Sequence, residues 1–194
     1  NATVILSRTH TGLIRNLFEL EVPEINEGII EIMGIVREPN GRTKIAVKTN
    51  DRDVDAVGAC VGMRGMRVQS IVQELRGEKI DIVEYSDDPE VFIRNALSPA
   101  KVSHIIKNNE NNQMTIIVAD DQMSLAIGKK GQNVRLAAKL VKLKIDIQGH
   151  SEAHDPLKIS NLLPTTPKNA SGVNFLGEIS AAKGLGEKVT AILF

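Results

Sequence analysis

One stretch of the chain occurs twice, and this repeat limits the folds that the sequence can adopt. Residues 57–75 align without a gap with residues 123–141, at a constant spacing of 66, and the two segments read VGACVGMRGMRVQSIVQEL and MSLAIGKKGQNVRLAAKLV. Each copy holds the pattern Gly-x-x-Gly, at 62–65 and at 128–131, and each is followed by a short Lys-Ile-Asp-Ile segment. The chain is therefore predicted to fold as two copies of one unit.

The residues around each Gly-x-x-Gly pattern predict the same order of helices and strands. After each pattern, apolar residues recur at the spacing of one buried helix face: Val68, Ile71, Val72 and Leu75, and then Val134, Ala137, Ala138 and Val141. Upstream, strand patterns pair as hairpins at 29–36 with 43–48 and at 102–107 with 114–118. A helix is predicted before each hairpin from Leu13, Leu17 and Leu20 and from Val91, Ile93 and Leu97. This order indicates neither a βαβ nucleotide fold nor a helical bundle.

The Gly-x-x-Gly pattern suits the binding of phosphate. Glycine has no Cβ, so a ligand can approach the backbone closely, and a helix that begins beside the pattern points unpaired N–H groups and a positive dipole end outward. The second copy adds Lys129, Lys130 and Arg135, with no acidic residue from 128 to 144. The first copy has four basic residues from 64 to 79 but also two glutamates. We expect the second loop to provide more of the salt-dependent attraction for a polyanion.

Composition excludes several classes of protein. With 42% hydrophobic and 25% charged residues, the 194-residue chain is expected to be globular, and no apolar run of about 18 residues predicts a membrane span. Cys60 is the single cysteine and the four histidines lack structural-zinc spacing, so neither a disulfide nor a metal is expected. The absence of P-loop, GxSxG and HExxH motifs predicts no catalytic residue, no cofactor and no enzyme. A cytoplasmic location is the default expectation.

The order of elements, with Gly-x-x-Gly between two helices, resembles a type II KH domain that is present twice between about Thr11 and Gly149. The segments VPEINEGIIEI, DAVGACVGMRGMRVQSIVQELRGEKIDIVEY, LSPAKVSHII and LAIGKKGQNVRLAAKL are similar to the paired KH domains of the NusA family of bacterial transcription elongation and termination factors. The similarity covers about three-quarters of the chain. It implies an α+β fold in which each unit is a small three-stranded sheet with helices packed on one face.

The resemblance implies that the chain binds single-stranded, nascent RNA within a factor for transcription elongation, pausing, termination and antitermination. A KH loop holds the backbone of about four unstacked nucleotides, and only 3% of the residues here are aromatic, which fits recognition without stacking. The implied RNA-binding residues are Gly62, Met63, Arg64, Gly65, Arg67, Gly128, Lys129, Lys130, Gly131, Gln132, Asn133 and Arg135. An RNA polymerase elongation complex is the implied protein partner, contacted through parts mostly outside this chain.

The resemblance and the composition also predict the boundaries of the domains. Residues 1–10 look like the end of an OB-fold barrel, followed by a first KH domain at 11–85 and a second at 86–150. A linker is predicted at 151–172, and a helix-hairpin-helix fragment at 173–194. Only about three residues separate the last strand of the first unit from Pro89, with Asp87 or Asp88 as a helix cap. We therefore expect the two units to pack as one body.

Other interpretations remain open at this stage. A Gly-x-x-Gly pattern is also an ordinary turn, and the lysines could form only a solvated face. Eight aliphatic residues are candidates either for a base-binding groove or for plain core: Ile45, Val47, Val61, Val68, Ile116, Val118, Ile127 and Val134. The chain could also be a ribosome-associated KH protein, or an adaptor whose KH surfaces bind protein.

Overall fold

The structure is a computed structural model, and it describes residues 3–108 and 112–153. The first unit consists of α1 (Thr11–Glu21), α2 (Pro23–Asn26), β1 (Ile30–Glu38), β2 (Arg42–Thr49), α3 (Ala56–Val61), α4 (Met66–Glu74) and β3 (Lys79–Glu84). The second unit consists of α5 (Pro89–Ala96), β4 (Val102–Asn108), β5 (Gln113–Val118), α6 (Met123–Ile127), α7 (Gln132–Val141) and β6 (Lys144–Gly149), and α8 (His150–Ala153) follows. The predicted order of helices and strands is present in both units.

Each unit contains a three-stranded sheet of the same mixed topology. The strand order is β1-β2-β3 in the first unit and β4-β5-β6 in the second. The hairpin strands are antiparallel, while the closing strand of each unit runs parallel to the middle strand. A parallel neighbour requires a crossover connection, which the helix–loop–helix segment provides in both units. The predicted α+β fold of two similar units is confirmed.

Helices α1 and α4 cover one face of the first sheet. Ile14 and Phe18 of α1 are fully buried in a cluster with residues of β2 and α4. The predicted helix is present, but its predicted face is partly wrong, because Leu20 is 81% exposed. Ile14 and Phe18 are four residues apart, so they too have the spacing of one helix face, as the predicted leucines do. The aromatic ring of Phe18, rather than the side chain of Leu20, fills the core.

The other face of the first sheet is covered by α7 of the second unit. Ala46 of β2 belongs to one apolar cluster with Leu140 of α7 and Phe92 of α5. A Cβ added to Gly34 of β1 would lie 3.3 Å from Leu140 Cδ1, so α7 lies close to the strand. Residues 43–47 of β2 are all buried because helices cover both faces of the sheet. The two units therefore pack as one body, as the short connection predicts.

Helix α7 buries a different face from the one that the sequence predicts. Leu136 and Leu140 are buried, whereas the aligned residues of α4, Ser70 and Glu74, are exposed. Three of the four residues predicted to be buried are only half-buried: Val134, Ala138 and Val141. The prediction used positions that are apolar in both copies. It therefore missed positions at which the copies differ, and α7 packs against the first unit as well as against its own.

The connection between the units is short and anchored. Four residues, 85–88, lie between β3 and α5. The predicted cap at Asp88 is confirmed, since its Oδ1 accepts a hydrogen bond of 2.9 Å from the backbone N–H two residues later. Lys48 Nζ lies 2.8 Å from Asp87 Oδ2, and the rings of Tyr85 and Phe92 pack edge-on with centroids 4.9 Å apart. These contacts tie the connection to both units.

Residues 3–10, which precede α1, form no strand, and no strand among the described residues pairs with them. Residues 4–6 are each more than 80% exposed. Arg37 holds the end of the segment, because its Nη1 donates to the backbone oxygens of Arg8 and His10 at 2.8 and 3.1 Å. The rest of its guanidinium pairs with buried Glu78 at 2.8 and 2.9 Å. The assignment of this segment to an OB-fold barrel stays a prediction.

The linker predicted at 151–172 lies almost wholly outside the described residues, and the helix-hairpin-helix fragment predicted at 173–194 lies entirely outside them. Among the helices that the structure describes, none combines the length and the apolar composition needed to cross a membrane.

Candidate nucleic-acid interface

The two Gly-x-x-Gly loops have the same backbone conformation. Their first glycines, Gly62 and Gly128, have φ/ψ angles of 74°/171° and 74°/172°. Their third residues, Arg64 at 53°/25° and Lys130 at 55°/30°, lie in the left-handed region that residues other than glycine rarely adopt. Because the middle residues of the loops differ while the angles agree, the glycines and the flanking helices determine this conformation.

The two glycines of each loop have different surroundings. A Cβ on Gly62 would lie 2.7 Å from Arg67 Cγ, and one on Gly128 would lie 2.7 Å from Asn133 Cβ and 2.9 Å from its backbone nitrogen. The first glycine therefore allows the loop to pack against the helix that follows. At the second glycine, Gly65 or Gly131, the nearest atom to a Cβ lies 3.9 Å away. The outer side of the loop at this position is open to a ligand.

The second loop exposes two lysines beside the start of a helix. Helix α7 begins directly after the loop, spans ten residues and has no acidic residue in its first turn. The side chains of Lys129 and Lys130 are exposed, and neither forms an ion pair with any residue that the structure describes. The N-terminal amides and the dipole of α7 add positive potential to that of the lysines. This surface can accept a phosphate group.

The first loop carries less charge and more apolar surface. Met63 and Met66 are 80% and 67% exposed, while Arg64 is exposed and without an ion pair in the described part of the chain. Helix α4 follows this loop as α7 follows the second. The first loop thus offers one free cation where the second offers two. This difference agrees with the charge contrast between the two copies of the sequence.

Arg67 and Asn133 occupy aligned positions after the two loops, and both tie helices together. Arg67 Nη1 donates to the carboxylate of Glu24 at 3.0 and 3.2 Å and to the backbone oxygen of Ala59 at 2.7 Å. Asn133 is 2% exposed, and its Nδ2 donates to three backbone oxygens at 3.1 to 3.2 Å. These hydrogen bonds from Arg67 Nη1 and Asn133 Nδ2 favour a structural role for both side chains over the predicted contact with RNA. Asn133 Oδ1, in contrast, is buried with no hydrogen-bond partner among the described residues.

Gln132 and Arg135 reach across to the first unit. Arg135 Nε and Nη2 donate to the two carboxylate oxygens of Glu38 at 2.7 and 3.1 Å, and Gln132 Nε2 donates to Glu38 at 2.9 Å. These hydrogen bonds, above all that from Arg135, lower the pKa of Glu38 to about 2. Arg135 Nη1 also donates to the backbone oxygen of Lys130 at 3.2 Å. Nothing in the sequence repeat marks Glu38, which is 97 residues from Arg135.

Only some of the predicted groove residues reach the surface. The four candidates in the middle strands are fully buried in the cores: Ile45, Val47, Ile116 and Val118. The candidates beside the loops are partly exposed: Val61, Val68, Ile127 and Val134. The sequence left groove and core as alternatives, and the structure separates them by element. Of these eight candidates, the four next to the loops are the ones exposed enough to contact a base.

A cleft of about 470 Å³ lies between the two units beside the second loop. Arg42 and Lys79 of the first unit and Gly128 and Lys129 of the second are among the residues that line it. Arg42 Nε lies 3.6 Å from Asp81 Oδ2, whereas Lys79 is exposed and forms no ion pair with the described residues. Sequence reasoning treated each unit separately and therefore missed a cleft that forms only when the units pack.

Comparison with known proteins agrees with this geometry. Residues 8–85 match the model of the NusA-like first KH domain, and residues 89–155 match the model of the NusA-like second KH domain. The chain belongs to the NusA-like KH family. The resemblance drawn from the sequence is confirmed, and the two units are the paired KH domains of that family.

Several relatives of the NusA family are similar over most of this chain. The transcription termination/antitermination protein NusA of Bacillus subtilis is 57% identical over 152 residues, which is 78% of this chain and 41% of the relative. The protein of the same name from Mycobacterium tuberculosis H37Rv is 50% identical over 154 residues, or 79% of this chain and 44% of the relative. The protein of that name from Thermus thermophilus is 49% identical over 146 residues, which is 75% of this chain and 38% of the relative.

A solved structure shares the fold. The crystal structure of APE1850 superposes with a TM-score of 0.53 and 25% sequence identity, covering 74% of this chain and all of that chain. In contrast, the present chain spans only about two-fifths of the length of the first NusA relatives. The similarity therefore concerns the paired KH domains of these longer proteins.

Proposed function

We propose that the chain binds single-stranded RNA through its paired KH domains, within a bacterial factor for transcription elongation, pausing, termination and antitermination. One observation carries the proposal: two Gly-x-x-Gly loops of identical backbone conformation lie on one packed body, and the second exposes Lys129 and Lys130. Ten predicted residues stay in the proposed site: Gly62, Met63, Arg64, Gly65, Gly128, Lys129, Lys130, Gly131, Gln132 and Arg135. The role is one of binding rather than catalysis.

Each loop is proposed to hold about four nucleotides, so an unstructured RNA of about ten nucleotides would contact both loops. The phosphates lie against the loop backbone, where the second glycine leaves the outer side open. The bases lie toward the aliphatic residues beside each loop. The cleft lined by Arg42, Lys79 and Lys129 supports a path for the strand between the units.

The salt dependence of binding tests the charge at the second loop. Replacing Lys129 and Lys130 by glutamine is expected to lower the slope of log K against log salt by up to about 1.4, since each phosphate contact on a single strand contributes about 0.7. The preference among RNA sequences should change little, because phosphates carry no base information. The measurement is fluorescence anisotropy with a labelled ten-nucleotide RNA over a series of salt concentrations.

Lys142 and Lys144 provide a matched control for this experiment. Both are exposed lysines of the same unit, but they lie at the far end of α7 and at the start of β6. Replacing these two by glutamine removes the same charge and should leave the slope nearly unchanged. An unchanged slope in the Lys129 and Lys130 variant would mean that these lysines form only a solvated face.

The proposed role in transcription, in the cytoplasm of a bacterium, rests on the family and on the printed names of the relatives. Crosslinking in cells tests it, since the recovered RNA should be nascent transcript near the polymerase. Recovery of ribosomal RNA alone would favour a ribosome-associated KH protein instead. Loss of RNA binding on mutation of both loops would reject the other alternative, an adaptor whose KH surfaces bind protein.

A further inference from the structure

Glu38 is a carboxylate of the first unit that contacts the helix after the second loop. It is the last residue of β1, and three hydrogen bonds, two from Arg135 and one from Gln132, converge on its two oxygens. We propose that Glu38 is a positioning residue, which holds the second Gly-x-x-Gly loop in its RNA-binding conformation from across the interface between the units. This inference rests on the proposed function.

Arg135 provides the connection between Glu38 and the loop. Its Nε and Nη2 bind the carboxylate at 2.7 and 3.1 Å, which fixes the plane of the guanidinium group. In that orientation its Nη1 donates to the backbone oxygen of Lys130 at 3.2 Å. Lys130 has φ of 55°, a left-handed conformation that residues other than glycine rarely adopt, so this hydrogen bond adds to the constraint that the glycines and flanking helices already provide. Glu38 thus acts on the loop through one rigid side chain.

The residues that the structure describes give the first loop no equivalent support. Gln69 occupies the position that aligns with Arg135, and it is exposed. Arg67 does pair with Glu24, but it donates to the backbone oxygen of Ala59, which lies in α3 and not in the loop. The two loops therefore share a conformation but not the contacts that hold it. Of the helices that follow the two loops, only α7 is hydrogen-bonded to the other unit within the part of the chain that the structure describes.

Electrostatics and positioning predict opposite effects for the loss of Glu38. A carboxylate near a site for RNA repels phosphate, so its removal should strengthen binding if charge alone mattered. Removal would also release Arg135 from its ion pair and so strengthen any contact that its guanidinium group makes with RNA. Positioning predicts weaker binding, because the support of Lys130 is lost. The sign of the change therefore separates the two accounts.

The first test is the affinity of Glu38→Gln for a ten-nucleotide RNA. The amide keeps the size of the side chain but loses the charge and the paired hydrogen bonds to Arg135. We expect binding to weaken about fivefold, in line with the upper range for a half-exposed ion pair. In a Gly131→Asp background the same change should have no further effect, because the second loop is already disabled. Unchanged or tighter binding of Glu38→Gln would overturn the inference.

Glycine amide resonances give a readout that a purely structural role would not produce. In the ¹H–¹⁵N spectrum of the whole chain, Glu38→Gln should move the resonance of Gly131 and leave that of Gly65 in place. Gly34, which packs against Leu140, reports whether the units remain in contact. A Gly131 resonance that stays in place would overturn the inference.

A second variant keeps the inference testable if Glu38→Gln disturbs the packing of the units. Arg135→Lys retains the positive charge but cannot bind Glu38 with two hydrogen bonds and also reach Lys130. It should weaken RNA binding by a similar factor, and undiminished affinity would contradict the inference.

Asp121→Asn is the control for loss of a negative charge, since this exposed carboxylate accepts a hydrogen bond only from its neighbour Gln122 among the described residues. It should leave binding unchanged or slightly stronger. No RNA binding by the unaltered chain would instead overturn the proposed function, and this inference with it.

Discussion

The variant Gly131→Asp is expected to lower RNA affinity by about tenfold to a hundredfold while the chain stays folded. A like charge placed against phosphate costs several kcal/mol, and 1.4 kcal/mol is a factor of ten in affinity. The new side chain has room, since the nearest atom to its Cβ is 3.9 Å away. Aspartate also tolerates a positive φ, here 70°, better than most residues, so the loss of stability should be about 1 kcal/mol.

Two controls make this result specific. Gly131→Asn has nearly the same shape and the same backbone strain without the charge, so it should retain much more affinity than the aspartate variant. Gly65→Asp places the same charge in the first loop, which has one free cation rather than two, and should weaken binding less. Anisotropy titrations and thermal unfolding curves measure the two quantities. A well-folded Gly131→Asp chain with intact affinity would exclude the second loop from the site.

Separating the two units is expected to reduce the affinity for a ten-nucleotide RNA by about a hundredfold. Because the two loops lie on one packed body, both can bind the same RNA molecule. Binding at the first loop then raises the local concentration of RNA at the second. The change combines Gly34→Arg with a long Gly-Ser insertion after Ser86. Gly34 faces α7, and a large side chain there collides with Leu140 without entering the core beneath α1. Solution scattering should show a more extended chain.

The controls distinguish the loss of joint binding by the two loops from a general loss of folded structure. Gly34→Ala adds a single Cβ, 3.3 Å from Leu140 Cδ1, and should change affinity little. The insertion alone should also have a small effect, because the buried contacts still hold the units together. An RNA of about four nucleotides, which fits one loop, should bind equally to all variants. A separated chain that binds the longer RNA as tightly as before would show that the loops act independently.

The repeat made the local structure predictable. Its fixed spacing located both loops, both flanking helices and both closing strands, because these depend on glycine positions and on apolar periodicity within a short segment. The cap at Asp88 followed from residue type for the same reason. Features that depend on neighbours along the chain could therefore be predicted from the sequence.

Features that depend on residues far apart in the sequence could not be predicted in this way. The choice of Phe18 over Leu20 for the core is decided by what lies opposite α1. The pairing of Arg67 with Glu24 had no local signal either, because the two residues are 43 positions apart in sequence. Glu38 had no motif at all, since its role arises only where the two units meet. Differences between the two copies could have indicated that interface. At aligned positions of the repeat, for example, the first copy has Glu74 and the second has the apolar Leu140.

The buried Lys44 has a consequence for the way in which the protein is made. Its side chain is fully covered and pairs with Asp81 at 3.0 Å, and it shares a face of β2 with Ala46, which α7 covers. On a ribosome the first domain emerges well before α7, which begins only at Gln132. Until α7 docks, we expect Lys44, Asp81 and Arg42 to be exposed to water, and their charges should discourage association of this sheet with other nascent chains. In the folded protein burial lowers the pKa of Lys44, while the neighbouring carboxylate of Asp81 opposes this shift.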